Sequence, residues 1–498
     1  MALDMWAPPK PSTTGGTSLD RFFHVTERGS TVRIELIAGA ATWLTMAYII
    51  FLNPQIIGAI PDHLGNFVSG GTALDVAKVA AVTSLVAGVM TLLMGAYANY
   101  PFALATGLGL NAFVTFTLVG TFGLSWPQAM GVIVWEGLMI TLLVLTGFRE
   151  MVMNAIPMDL KRAIGVGIGA FIAFIGLQNA GIVVNHDVTL VTLQPNFRDL
   201  HILIFLIGLA ITITLVSRRV KGALLGSIVL TTIIASIINV GFAHSKLYPK
   251  GIASAPSKII TSPHLGMLGQ FSLNLKGIAI GTAIALVTAV MLSDFFDTMG
   301  TVVGIAGEGG LLDKDGKLPG IQRVLLVDSL AAVAGGAAST SSNTTYIESA
   351  AGVSEGGRTG LTSVVVGVLF LLTLFLSSLA GTIPTQATAP VLVMVGYFMM
   401  TIVKDINWAN PEIGIPALLA ILMQPLTFSI ANGVGAAFIA YTVIQLLNGN
   451  GMKDLSFAVT AIGQGKWDEF KSRTWKLHPI LIIISAVFGW YFWKGLLP

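Results

Sequence analysis

Apolar residues run along this chain in blocks of roughly twenty, long enough to cross the hydrocarbon core of a bilayer as a helix, and polar residues collect in the stretches between them. The blocks fall at 34–60, 76–97, 102–122, 127–147, 158–184, 200–216 and 221–240, then, beyond a long polar loop at 242–277, at 278–305, 321–335, 338–353, 361–379, 388–403, 413–430 and 432–447. The pattern predicts an all-α polytopic membrane protein of fourteen spans. A further apolar stretch, 479–493, is short and bounded by Lys476 and Lys494. It reads equally as a shallow span or as a helix lying in the interface.

Composition supports the same class. Of 498 residues only 10% are charged and 54% are hydrophobic, with a mean hydropathy of +0.82, whereas soluble domains carry about 25% charged residues. The chain has no cysteine, which excludes disulfides and thiolate metal sites. Net charge is +3, and the basic residues are scattered through short loops rather than gathered on one face, so nucleic acid is not an expected partner. Those loops give an orientation. Arg149 with Lys161 and Arg162, then Arg218, Arg219 and Lys221, then Lys314, Lys317 and Arg323, then Arg358, and finally Lys453, Lys466, Lys471 and Arg473 all fall on the side of the N-terminus. The positive-inside rule predicts that side to be cytoplasmic, with tails at 1–33 and 449–498 and an extracellular loop at 242–277.

The long loop also divides the spans into two sets of seven, 34–241 and 278–448. An odd number per half sends the second half through the membrane with opposite polarity, as an inverted-repeat transporter requires. In such folds matching interrupted spans mark the substrate site. The third span of each half is abnormal. The first carries Pro101, Gly107 and Gly109 before Asn111, which disfavour a continuous helix. The second runs Ser339-Thr340-Ser341-Ser342-Asn343-Thr344-Thr345, seven hydroxyl or amide side chains in succession. An extended segment lining a polar cavity fits that run, as does tight helix packing through small residues. Spans three and ten are therefore expected to be broken, with half-helix N-termini facing each other at the midplane. The third is expected to turn helical near Gly109–Asn111.

Carboxylates inside the membrane cost roughly 2.5–3.5 kcal/mol each on insertion scales and are functional suspects. Here they are Glu136, Asp294, Asp297, Asp328 and Glu348. Asp294 and Asp297 share one helical face by their spacing, and read as a proton-binding element, as a two-carboxylate metal or sodium site, or, for Asp297, as a structural cap. Glu348, at the end of the polar run, has the chemistry to accept paired N–H groups of a planar heterocycle. Asp328 is expected to make a structural salt bridge or loop contact near Arg323, and Glu136, alone in span four, to be structural. Phe102, Phe113, Phe295 and Phe296 are candidate stacking rings. The loop Asp313-Lys-Asp315-Gly316 lacks most ligands of a calcium loop and reads as an ordinary turn.

These residues resemble one family in particular. Glu35-Leu-Ile-Ala-Gly39 with Thr45-Met-Ala-Tyr48 through Asn53-Pro54, Gly107-Leu-Gly-Leu-Asn111-Ala, Ile172 through Gly181, Asp294-Phe-Phe-Asp297-Thr-Met-Gly300-Thr and Asn343-Thr-Thr-Tyr346-Ile-Glu348-Ser-Ala-Ala-Gly352 are similar to the AzgA-like purine permeases of the nucleobase–ascorbate transporter grouping. The resemblance implies two inverted seven-span repeats, a core domain of spans one to four and eight to eleven, and a gate domain of five to seven and twelve to fourteen. It implies a homodimer in the plasma membrane that imports adenine, guanine or hypoxanthine with a proton and uses no cofactor. Carried over, Asp294 and Glu348 are the acidic substrate positions and the proton-coupling pair. Asn111, Asp297, Gly109 and Thr345 complete the substrate site. The run Ser339–Ser342 is richer in hydroxyls than the family pattern. The competing readings are an anion carrier of the same fold and a membrane enzyme, for which no nucleophile–base pair or metal cluster is visible.

Overall fold

The computed structural model describes residues 16–146, 156–241, 247–249, 251–256, 258–275, 278, 280–314, 318–464, 466, 473 and 475–494. Arg149, Lys317, Lys471 and the loop residues Asp315 and Gly316 lie outside the described residues, as does the side chain of Phe296.

The fourteen apolar blocks become fourteen packed segments. The first half runs Val32–Ile57, Val76–Ala98, a third segment described below, Trp126–Leu145, Met158–Asn179, Leu200–Ser217 and Ala223–Gly241. The second half runs Ile280–Glu308, Ile321–Ala337, a tenth segment described below, Gly360–Thr382, Thr385–Asp405, Pro411–Leu426 and Ile430–Leu447. Capping residues set several starts: Asp75 accepts from Lys78 N–H, Asp199 from His201 N–H and Asn410 from Glu412 N–H. The fifth segment stops at Asn179, short of the expected boundary, because a β-hairpin of β2 (Val183–His186) and β3 (Leu190–Leu193) follows it. Spans six and seven are the least buried, and leave Leu203, Ile213, Val229 and Ile233 exposed, as a lipid-facing surface requires.

Two bodies of packing emerge. Spans one, two, four, eight, nine, ten and eleven pack on one another, with span eleven against spans one and two and span nine against span four. Spans five, six, seven, twelve, thirteen and fourteen form the second body, centred on span five against twelve and thirteen. Small residues allow these approaches. At Gly335, where span nine meets the polar run, an added Cβ would lie 2.0 Å from the Ser341 carbonyl oxygen. Glu35, buried in span one, accepts N–H groups of Arg358 (2.9 Å), Thr359 (3.3 Å) and Thr362 (3.2 Å) and so pins the start of span eleven.

Spans three and ten are interrupted where the sequence interrupts them. β1, Leu104–Thr106, leads through Gly107 into a helix over Leu108–Thr121. β4, Asn343–Thr345, leads to a short helix, Ser349–Ser354, for which Glu348 is the N-cap residue. The two strands pair antiparallel, with Leu104 opposite Thr345 and Thr106 opposite Asn343. Each extended segment thereby satisfies the other's backbone groups, which unpaired in hydrocarbon would cost several kcal/mol each. The register is symmetric about Ala105 and Thr344, as expected where two inverted halves cross.

The stretch left open by the sequence is a helix, Pro479–Lys494, packed on spans eight and fourteen with Phe488 and Tyr491 buried. It runs antiparallel to span fourteen. Tyr441 donates to the Lys476 carbonyl (2.6 Å) at one end, and Tyr491 donates to Asn432 Oδ1 (3.3 Å) at the other. Its far end meets Gly281 at the start of span eight, and the Phe122 ring lies 6.1 Å from Tyr491. The helix therefore extends to the start of span eight and the end of span three.

Candidate functional site

The strand pair is fully buried between the two bodies, and the exposed side chain of Ile347 marks a crevice beside it. Span eight passes behind it and presents two acids. Asp294 is fully buried and accepts from Ser342 Oγ at 3.0 Å. Asp297 lies one turn on and is half-buried. Glu348 is half-buried where the helix of span ten begins, and Ile347 beside it is 55% exposed although it lies at mid-span. Gly165 of span five and Gly304 of span eight also face open space. The crevice thus opens toward the side of the N-terminus.

Tyr48 was not singled out by sequence reasoning beyond its place in a motif. Its hydroxyl donates to Glu348 Oε1 at 2.5 Å. It reaches that position because span one is not one rod: the helix Val32–Met46 ends, a turn at Ala47 and Tyr48 follows, and the helix resumes at Ile49. Thr45 Oγ1 donates to the Glu348 carbonyl at 3.4 Å from the same turn. The Tyr48 contact fixes the half-buried Glu348 carboxylate, so an incoming N–H meets an acceptor already oriented by a phenol.

Asn111 is buried in the first turn of the span-three helix. Its amide nitrogen donates to Asn53 Oδ1 (2.8 Å) and Thr106 Oγ1 (3.3 Å), and Asn53 in turn donates to Thr83 (2.8 Å). The Oδ1 atom of Asn111 has no partner. Asn111 therefore offers an acceptor, while its donors are committed to the core. Gly109 sits on the seam: a Cβ there would lie 2.5 Å from Ile168 of span five. The two bodies could not approach this closely with any larger residue.

Thr345 is held by Asp328. Its N–H and hydroxyl both donate to Asp328 Oδ1, at 3.0 and 2.8 Å, while Thr298 donates to Asp328 Oδ2 at 2.7 Å and shares a 2.7 Å contact with Thr344. Asp328, expected in a structural contact, is held in this hydroxyl ladder, which fastens β4 to spans eight and nine. Glu136, the one acid of span four, faces Asp294 of span eight, with Asp328 and Ser342 nearby.

The candidate stacking rings are core residues. Phe102 is fully buried and stacks on Tyr100 at 5.4 Å, and Phe113 and Phe295 are buried as well. The rings on the seam are others. Phe116 of span three, Phe171 and Phe174 of span five, and Phe428 of the turn between spans thirteen and fourteen form one cluster, with centroids 5.3 to 6.5 Å apart. Phe428 adopts φ +51°, a conformation rare for a bulky side chain, and its carbonyl accepts from Thr117 at 3.2 Å. Pro425 before the turn and the cap Ser429 after it mark the break, but nothing local places the Phe428 ring on the seam. Among the described residues, no group of three or more His, Asp or Glu side chains could hold a metal ion.

Known proteins match this description. The model of the Permease family (Xan_ur_permease) matches residues 33–433. Adenine permease AdeP of Escherichia coli (strain K12) is 40% identical over 451 residues, covering 90% of this chain and 95% of AdeP. Guanine/hypoxanthine permease PbuG of Bacillus subtilis (strain 168) is 36% identical over 473 residues, covering 95% of this chain and 98% of PbuG. In fold, the chain is similar to the transmembrane domain of a cyanobacterium bicarbonate transporter, BicA, with a TM-score of 0.56 at 15% identity, covering 81% of this chain and 97% of that one. It is also similar to SLC26A9, with a TM-score of 0.57 at 11% identity, covering 84% and 66%.

Proposed function

This chain belongs to the Permease family, and we propose that it imports purine nucleobases such as adenine, guanine and hypoxanthine across the plasma membrane, driven by protons, with its N-terminus in the cytoplasm. The observation that carries this reading is the carboxylate of Glu348. It stands half-exposed at the foot of the crevice, held by the Tyr48 hydroxyl at 2.5 Å. A purine presents N–H groups in its ring and, in adenine and guanine, on an exocyclic amine. A pre-oriented carboxylate accepts such groups strongly in a water-poor site. The Oδ1 atom of Asn111 adds an acceptor, Asp294 and Asp297 line the span-eight side, and Gly109 and Thr345 complete the site. Relatives over nearly the whole chain carry adenine permease and guanine/hypoxanthine permease in their names, which favours the purine class.

The fold is shared with a bicarbonate transporter. An anion would nevertheless meet carboxylates rather than a cation at the centre of this molecule, so the base is the better fit. Chemistry on the solute is not expected, and a homodimer is the expected assembly. The test is uptake of radiolabelled adenine, guanine and hypoxanthine by cells making Glu348→Gln or Asp294→Asn. Both variants should lose uptake while reaching the membrane in wild-type amount. Unlabelled adenine, and not sulfate, should compete in the parent protein. Full uptake by both variants would remove the proposed site.

A further inference from the structure

We propose that Glu136 of span four, paired with Asp294 of span eight, is the proton-binding site of the carrier, separate from the base-binding carboxylate of Glu348. The inference rests on the reading of the chain as a proton-driven permease and names where the proton sits.

Four other acids of the core have donors that hold their charge. Glu35 takes three backbone N–H groups. Asp62 takes those of Leu64, Asn66 and Trp126. Asp328 takes an N–H and two hydroxyls. Glu348 takes the Tyr48 hydroxyl. Glu136 differs from these four. It is fully buried, and neither of its carboxyl oxygens has a hydrogen-bond partner of normal geometry. The groups facing it are Asp294 from span eight, Asp328 from span nine and the Ser342 hydroxyl from span ten, and no cationic group acts on it. Asp297 and Glu348 are the next acids along spans eight and ten.

Two carboxyl groups facing each other in a low-dielectric site cannot both be ionised, and they hold a proton between them. Here the Asp294 carboxyl accepts from Ser342, while the Glu136 carboxyl has no partner of normal hydrogen-bond geometry and faces only Asp294, Asp328 and the same Ser342 hydroxyl. A purely structural polar contact at this place would be met by Gln, which carries its own donor; an ionisable side chain with no donor is what a reversible proton site requires. The site also touches the substrate machinery. Ser342 directly precedes β4, and Asp297, half-buried, lies on the same face of span eight one turn from Asp294. In each cycle one O–H bond forms on the pair when the proton enters and breaks when it leaves on the other side, so the carrier returns unchanged.

The experiment uses the full-length protein in proteoliposomes containing a pH-sensitive dye, with two assays on each variant: adenine accumulation driven by an imposed pH gradient, and counterflow exchange of adenine, which needs no net proton. The parent should accumulate adenine and carry protons inward with it. Glu136→Gln should lose gradient-driven accumulation and adenine-evoked proton entry by more than about tenfold while exchange persists. Parent-like accumulation and proton entry in Glu136→Gln would overturn the assignment. So would loss of exchange along with accumulation in folded protein, which would make Glu136 a packing residue. A parent protein that never couples adenine to protons would instead sink the underlying reading, and that is seen without any variant. Should Glu136→Gln fail to reach the membrane, Glu136→Asp carries the test: a displaced accumulation–pH profile is expected, and an unchanged one overturns the proposal.

Discussion

Asp328 and Glu136 are each a single acid on a helix behind span eight, and sequence context alone assigns both to structural roles. The structure separates them by counting donors. Asp328 receives the Thr345 N–H, the Thr345 hydroxyl and the Thr298 hydroxyl, and Thr298 is contacted in turn by Thr344. The hydroxyl ladder needs an acceptor at Oδ1 and tolerates a donor at Oδ2, because a hydroxyl can reverse its role. Asp328→Asn should therefore leave the protein folded. Asp328→Ala strands the Thr345 N–H and should cost about 3 kcal/mol, lowering the melting temperature of the purified protein and releasing β4. Equal melting temperatures for the two variants would show that the ladder does not hold the strand. The spacing of Asp294 and Asp297 on one face could be read from the sequence, and so could the isolation of each acid within its own apolar block. The partner of each acid could not, since Glu136 meets Asp294, and Asp328 meets Thr345, only after distant helices pack.

Interruptions within elements divide the same way. Spans three and ten announce their breaks through Pro101, Gly107 and the hydroxyl run, residues that weaken a helix by themselves. The turn at Ala47 and Tyr48 has no such residue and is held by tertiary contacts, the Tyr48 and Thr45 hydroxyls on Glu348. The joint before the last helix is of this second kind. Asp454 accepts from Arg473 (2.8 Å) and from the N–H groups of Lys476 (3.0 Å) and Leu477 (2.9 Å), tying Asn450–Gly463 to the start of Pro479–Lys494. Burial opposes its charge, but these donors outweigh it and hold the carboxyl below its ordinary range. Burial pushes the neighbouring His478 down to about 4, against a pull upward from Asp454. The folded imidazole stays neutral until about pH 4, whereas the released one takes its proton near pH 6.5. Attachment of the last helix should thus be constant above about pH 6.5 and weaken as pH falls toward 4, by an amount on the order of 2 kcal/mol. Labelling of a cysteine placed at Trp490 should increase over that window, and His478→Gln should flatten the profile; a pH-independent signal in the parent would show that His478 is not buried at the joint.

At the scale of the whole molecule, the two packed bodies are asymmetric about the strand pair. Toward the N-terminal side Ile347 is exposed and Gly165 and Gly304 face open space. Toward the other side the seam is filled by Phe116 on one body and Phe171, Phe174 and Phe428 on the other. Alternating access in such folds moves one body past the other around a fixed site, and the aromatic cluster is the seam expected to part in that motion. The number of spans and the division into halves could be read from hydropathy, but the seam could not: its four rings come from three segments distant in sequence, each with an ordinary apolar pattern. Because the chain contains no cysteine, the seam can be addressed without background. Phe116→Cys and Phe428→Cys replace two rings whose centroids lie 5.4 Å apart. Joined by a short, reducible bifunctional thiol reagent, the double variant should lose purine uptake by roughly tenfold or more and recover it on reduction, while each single variant should be indifferent to the reagent. Purine uptake at an undiminished rate with the two positions joined would mean that the bodies do not separate at this seam, and the opening would have to be sought where the last helix bridges spans eight and fourteen.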